Sequence, residues 1–268
     1  MDCDYKDIIN KLPVEPEVHL YYMNIQLFIQ RLIPQKDITD FATRRGSLFQ
    51  QEDFRLTFLS CDELERVNGY KSLKKQIEWI AGRFLVKNMV KEFVDYDVAL
   101  PNVKVAYKEE GAPFLEQFPV VTVSITHSGN YAAAALCTTS KKIGIDIEKS
   151  DYMPAESFMR IAFTDREIAN IEFNRKKRLL YQEKRSNHQK VCSSEKISDD
   201  KVWYCQEVMR CWTRKEAFLK YICKGFNEKL KSVEIIEDAV FYNGEELDNI
   251  AISTFNIDNH YLLSLIYG

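Results

Sequence analysis

The sequence predicts an α+β protein made of two pseudo-symmetric α/β halves, and three observations carry that reading. Two capping boxes, Ser60-Cys-Asp-Glu63 and Thr164-Asp-Arg-Glu167, each announce a helix. Each is followed by a helical segment carrying a tryptophan, Trp79 and then Trp212. A strand-like run opening on tyrosine comes 52 residues after the first tryptophan, at Tyr131, and 49 after the second, at Tyr261. In this register Arg83 falls opposite Glu216 and Lys87 opposite Lys220. The expected halves are residues 1–140 and 141–268, with the join near 138–144. Coincidence of short patterns is the competing reading.

Taken in order, residues 18–30 (VHLYYMNIQLFIQ) are dense in apolar and aromatic side chains and read as one strand. The first capping box then starts a helix, and a basic stretch with Arg66, Lys71, Lys74 and Lys75 leads into Ile77–Val90, apolar at helical spacing. Val103–Tyr107 is strand-like, Glu110-Gly-Ala-Pro113 is a turn, and the β-branched run 120–125 is a further strand. Tyr131–Cys137 continues the sheet despite its alanines, and Lys141–Glu148 alternates as a strand does. In the second half, residues 212–224 read as a helix and Tyr261–Tyr267 as the closing strand. Ser60 lies 19 residues before Trp79, but Thr164 lies 48 before Trp212, so the second half holds an insertion, placed at 174–201. Seven Lys or Arg and one acid, Glu183, stand between Asn174 and Lys190. This is a mobile loop or helix extension: a solvated basic face, or a docking surface for an acidic partner.

Composition excludes several classes. The 268 residues, 46% hydrophobic, suffice for a core, and 16 Gly and Pro are too few for a linker-rich chain. A net charge of −3 disfavours a general nucleic-acid binder. No apolar run reaches the roughly 18–20 residues of a membrane span, and the acidic, mixed N-terminus is not read as a signal peptide. Seven cysteines (3, 61, 137, 192, 205, 211, 223) form no C-x-x-C pair, so a reduced, cytoplasmic protein is expected.

Three short motifs carry chemistry. In Gly144-Ile-Asp-Ile-Glu148 a strand would project Asp146 and Glu148 on one face and Ile145 and Ile147 into the core. Paired carboxylates repel unless a cation or proton intervenes, and magnesium suits such a pair; ordinary surface decoration is the alternative. In Trp212-Thr-Arg-Lys-Glu-Ala-Phe-Leu-Lys220, Glu216 and Lys220 share a helix face. They make an i,i+4 salt bridge, or else a third metal ligand beside a phosphate-neutralising lysine. Thr126-His-Ser-Gly129 at a strand end suits a phosphate, though a lone histidine is more often structural.

In this order the motifs resemble those of the 4′-phosphopantetheinyl transferases. Residues 212–220 are similar to the family's W-x-x-K-E-A-x-x-K, residues 144–148 to its G-I-D-I-E, and residues 123–129 to its S-H-S segment. Glu110–Pro113 is similar to its G-K-P turn and Arg66–Val90 to its early basic helix. The resemblance covers roughly residues 55–226 and points to the surfactin-type group, two similar halves in one chain with the site in the cleft between them. It implies a monomer and transfer of the phosphopantetheine arm of coenzyme A to a serine of an acidic acyl or peptidyl carrier protein, releasing 3′,5′-ADP. Asp146, Glu148 and Glu216 would bind magnesium, and Lys220 the pyrophosphate. Thr126 and His127 would contact the 3′-phosphate, with Arg66 and Lys108 as further phosphate contacts. Glu216, or a metal-bound water held by it, would take the serine proton, making Glu216 and Lys220 the catalytic pair. Three positions depart from the pattern: Ala112 replaces the G-K-P lysine, Thr126 the first serine of S-H-S, and Cys223 a glycine. Competing readings are a magnesium-dependent phosphodiesterase acting on a coenzyme A-like substrate and an inactive carrier-binding module.

Overall fold

The computed structural model describes residues 7–32, 56–186, 193–225 and 228–268. Strands β1 (Ile9–Leu12) and β2 (Val18–Asn24) form an antiparallel pair. The chain then turns into helix α1 (Ile25–Leu32), so the run read as one strand over 18–30 is a strand and a helix. Asn24 makes the switch: its Oδ1 accepts from the amides of Gln26 and Leu27. Beyond it the buried positions move to helical spacing at Ile25, Phe28, Ile29 and Leu32.

Helices α2 (Cys61–Asn68) and α3 (Leu73–Phe93) follow, then the short pair β3 (Val105–Tyr107) and β4 (Pro113–Leu115). The hairpin β5 (Thr122–Ser128) and β6 (Tyr131–Cys137) completes a sheet of order β1-β2-β6-β5. After β7 (Ile143–Lys149) come α4 (Glu156–Ala162), α5 (Asp165–Ser186) and α6 (Ser193–Tyr221). Strands β8 (Val233–Ile236), β9 (Ala239–Tyr242) and β10 (Glu245–Glu246) form a small sheet. The last two strands, β11 (Ala251–Ile257) and β12 (Tyr261–Tyr267), join β7 in the order β11-β12-β7. The basic insertion is thus helical extension of α5 and α6 where it is described; residues 187–192 lie outside the described residues.

The sheets β2-β6-β5 and β7-β12-β11 repeat one antiparallel plan. Their facing sides share a core of Val18, Leu20, Ala133, Ala135, Ile145, Ile147, Leu263 and Leu265. Small alanines on β6 allow close packing on both faces, since Ala132 and Ala134 lie in a second core under α3.

Both capping boxes form, and each holds a buried ion pair that joins it to the long helix of its half. Glu63 accepts from the Ser60 amide and meets Lys87 at 2.6 Å. Glu167 accepts from the Thr164 amide and meets Lys215 at 2.7 Å. These pairs set the true register of the repeat. Lys87 corresponds to Lys215, not Lys220, so the tryptophan-based alignment is five residues out.

Helix α6 lies directly on β7. A Cβ on Gly144 would overlap the Ala217 carbonyl oxygen and the Tyr221 backbone. Gly144→Ala must therefore lift α6 from the sheet, and it should cost about 3 kcal/mol in urea denaturation, at the upper end of overpacking effects. A loss under about 1 kcal/mol would show that the contact has room to relax.

Candidate active site

The edge strands β5 and β7 bring the motifs together. Ile145 and Ile147 enter the core between the sheets, and Asp146 lies under α6 on the opposite face of β7, bonded to Lys220. No backbone ladder joins β5 to β7. Hydroxyls at every second residue of β5 do so instead. Ser124 Oγ accepts from the Ile145 amide at 3.1 Å, and Thr126 Oγ1 from the Ile147 amide at 3.3 Å. Thr126 also donates to Asp146 Oδ1 at 3.0 Å, and Ser128 donates to Glu148 Oε2 at 2.7 Å. Ser124 was not singled out from sequence, and Ser128 only as part of the Thr126–Gly129 motif; the S-x-T-x-S alternation was the signal that could have found their shared role.

From α6, Lys220 Nζ donates to Asp146 Oδ1 at 2.7 Å. Glu216, one turn earlier, feels the charges of Asp146 and Glu148. Burial first, and then the Asp146 charge, push the Glu216 carboxyl up to about 7, against the pull of Lys220. Burial also raises Asp146 and Glu148; Lys220 and a hydroxyl oppose this at each. Asp146 Oδ2 and Glu216 Oε1 are buried without a hydrogen-bond partner.

Among the described residues no three His, Cys, Asp or Glu side chains stand in metal-holding geometry as placed. Lys220 and Thr126 occupy one oxygen of Asp146, and Ser128 one of Glu148. The donor set still fits a hard divalent cation. It offers carboxylate oxygens alone, two of them orphaned, among like charges that only a cation or protons can relieve.

His127 stands beside this cluster, its Nδ1 3.5 Å from Glu78 Oε2, with 45% of its side chain exposed. Desolvation, then Lys220, Lys74 and Lys75, drive the ring down to about 4. The positive charge that these lysines set round the half-open imidazole suits an anion. Glu78, 3.5 Å from the ring and 3.6 Å from Lys74, is the carboxylate already beside it. Thr126, by contrast, is buried, with its hydroxyl committed to Asp146 and the Ile147 amide. Arg66 is exposed on α2, its guanidinium 4.7 Å from the Tyr107 ring. The exposed Lys108 follows Tyr107 in the β3–β4 turn, where its amide donates to the Ala112 carbonyl.

Two family models match the chain: the 4′-phosphopantetheinyl transferase N-terminal domain over residues 70–137 and the 4′-phosphopantetheinyl transferase superfamily over 142–241. The chain belongs to the 4′-phosphopantetheinyl transferases. It is also similar to the 4′-phosphopantetheinyl transferase Sfp of Bacillus subtilis (strain 168), at 24% identity over 189 residues, covering 70% of this chain and 71% of that one. The chain is accordingly a transferase of the surfactin type. No helix among its described residues is long and apolar enough to cross a membrane.

Two departures from the family pattern have visible consequences. In this transferase Cys223 takes the glycine position at φ +57°, a left-handed conformation that is strained for a side chain. At the other, Ala112 contributes only its backbone to the turn.

Two measurements test the site. Thr126→Val removes a donor and an acceptor from a buried position, and should cost about 1–3 kcal/mol in urea denaturation. Thr126→Ser should recover most of that loss, and equal stability of all three proteins would show the hydroxyl to be idle. His127 should titrate near 4 by NMR in the free protein, well below its ordinary 6.5. The unfolded chain then binds a proton that the fold refuses, so the ring's contribution to stability falls as pH drops from 6.5 towards 4. Saturating inorganic phosphate should move the midpoint upward by about one unit or more; an unmoved midpoint would show that no anion binds beside the ring.

Proposed function

We propose that this transferase moves the 4′-phosphopantetheine arm of coenzyme A to a serine of an acidic acyl or peptidyl carrier protein, with magnesium, releasing 3′,5′-ADP. The observation that carries this is the carboxylate cluster of Asp146, Glu148 and Glu216, two of its oxygens buried and unpartnered, beside the Lys74–Lys75–His127–Lys220 rim. Asp146 Oδ2, Glu216 Oε1 and Glu148 would hold the magnesium. When bound, that ion supplies positive charge to the pyrophosphate as its bridging oxygen becomes anionic.

The chain's own groups do the rest. His127 and its neighbouring lysines take the 3′-phosphate of coenzyme A, while Arg66 and Lys108 meet further phosphate from the α2 and β3–β4 side. Lys220 adds a cation beside the breaking bond. A serine hydroxyl is a weak nucleophile and must lose its proton as it attacks. Glu216, whose carboxyl is pushed up to about 7 by burial and then by the Asp146 charge when no cation is bound, would accept it. The serine Oγ–phosphorus bond forms, the phosphorus–oxygen bond of the pyrophosphate breaks, and 3′,5′-ADP leaves with the electron pair. Thr126 and Ser128 act indirectly by holding Asp146 and Glu148.

With coenzyme A, Mg²⁺ and an apo carrier protein, mass spectrometry should show a carrier gaining one phosphopantetheine group. Glu216→Gln should lower kcat/KM by about a hundredfold or more, with the far-UV circular dichroism unchanged. Wild-type rates in Glu216→Gln would remove its role as base. Release of free 4′-phosphopantetheine without a carrier would instead make the protein a phosphodiesterase.

A further inference from the structure

The helical arm made by α5 and α6 has two unlike faces. Its inner face is closed by ion pairs and stacking. Arg175 donates to both oxygens of Asp200, at 2.6 Å and 3.1 Å to Oδ2 and at 3.2 Å to Oδ1, and stands over the Tyr204 ring. Arg178 lies over Trp203, 5.5 Å from its centroid. Two of the four consecutive cations at 175–178 therefore hold the arm together and face no partner.

The outer face is the reverse. Phe173, Leu180 and Tyr181 are 63%, 58% and 61% exposed, and Lys176 and Lys177 are exposed among them. Positions 173, 177 and 180 follow one helical stripe, flanked by 176 and 181. Three large hydrophobes open to water on one stripe, set between lysines, mark an interaction surface. The arm also distinguishes the halves. Glu63 precedes its lysine partner by 24 residues, whereas Glu167 precedes Lys215 by 48.

We propose that this outer face of α5 docks an acidic amphipathic helix of the carrier protein, apolar contacts at Phe173, Leu180 and Tyr181 being framed by Lys176 and Lys177. The inference rests on the transfer reading above. Charge complementarity selects an acidic partner, and reach selects the carrier. From Asp200, opposite Arg175, to Glu216 is 16 residues of α6, about 24 Å at 1.5 Å per residue. A compact domain of about 100 residues has a radius of gyration of about 13 Å. A carrier whose serine is at Glu216 therefore extends to the near end of the arm, where Phe173 and Lys176 stand.

The test measures apo-carrier affinity by surface plasmon resonance, together with carrier and coenzyme A KM, for the full chain. It compares Lys176→Glu/Lys177→Glu and Phe173→Ser/Leu180→Ser with wild type. Each variant should raise the carrier Kd and KM about tenfold or more, leaving coenzyme A KM and kcat at saturating carrier within about twofold. The charge variant should also flatten the salt dependence of kcat/KM. Unchanged carrier Kd in both variants would overturn the docking surface while wild-type loading persists. A wild-type dimer that dissociates in Phe173→Ser/Leu180→Ser, or vesicle binding lost in either variant, would assign the face to a second copy or to lipid instead. No loading of any carrier by wild type would sink the transfer reading itself.

Discussion

An edge strand that carries clustered carboxylates needs its amides satisfied and its side chains aimed, without a further strand covering them. The β5–β7 seam meets both needs with hydroxyls. Ser124 and Thr126 accept the amides of Ile145 and Ile147, and Thr126 and Ser128 donate to Asp146 and Glu148. A backbone ladder would satisfy the amides equally well, but its donors would be spent on carbonyls. A hydroxyl can accept from the backbone and donate to a carboxylate at once, and Thr126 does both. Because a buried amide without a partner costs about 1–3 kcal/mol, the join between the sheets and the aim of the carboxylates stand or fall together.

The second constraint comes from the other side of the site. Helix α6 must lie close enough for Lys220 to reach Asp146, and three features hold it there. Gly144 removes the side chain that would keep the backbones apart. Thr213 meets Ser264 of β12 at 2.8 Å. Lys215 is fully buried against Glu167, whose other oxygen accepts the Ile235 amide at 3.0 Å. One carboxylate thus ties the start of α5, the middle of α6 and β8 into one unit. Breaking such a pair by removing one partner leaves an uncompensated buried charge, at about 3–5 kcal/mol. Within the W-x-x-K-E-A-x-x-K segment, the first lysine bonds Glu167 and secures the helix, and the second bonds Asp146.

Much of this was legible in the sequence, because strand alternation and helix caps are local. The alternation of Gly144–Glu148 separated Asp146 and Glu148 from Ile145 and Ile147, and Glu63 and Glu167 both marked true helix starts. What escaped was set by tertiary partners. Nothing local says that Thr126 faces a carboxylate across the seam. Nor does the composition of residues 18–30 show that Asn24 ends a strand and caps a helix. The tryptophans misaligned the repeat because they pack differently. Trp79 lies against Arg83 and Tyr70, whereas Trp212 lies against Phe158. The buried Glu–Lys pairs keep the register that the aromatic residues lose.

With that register in place, the first half shows what stands at the positions where the second half gathers its carboxylates. Tyr131 and Tyr261 open equivalent strands, so Tyr21, opposite Ala134, corresponds to Asp146, opposite Ser264, and Met23 to Glu148. On the helices Asn88 corresponds to Glu216 and Glu92 to Lys220. The first half therefore pairs Tyr21 with Glu92 at 2.8 Å where the second pairs Asp146 with Lys220 at 2.7 Å. Met23 is fully buried, and Asn88 bonds the Phe84 carbonyl. Every one of these replacements is satisfied in place, and none gathers like charge. The second half leaves Asp146 Oδ2 and Glu216 Oε1 buried without partners, a cost of about 1–3 kcal/mol or more for each group. A fold that satisfies these positions in one half and leaves two carboxylate oxygens unpartnered at their equivalents in the other has gathered like charge there, a deficit that only a cation or protons relieve.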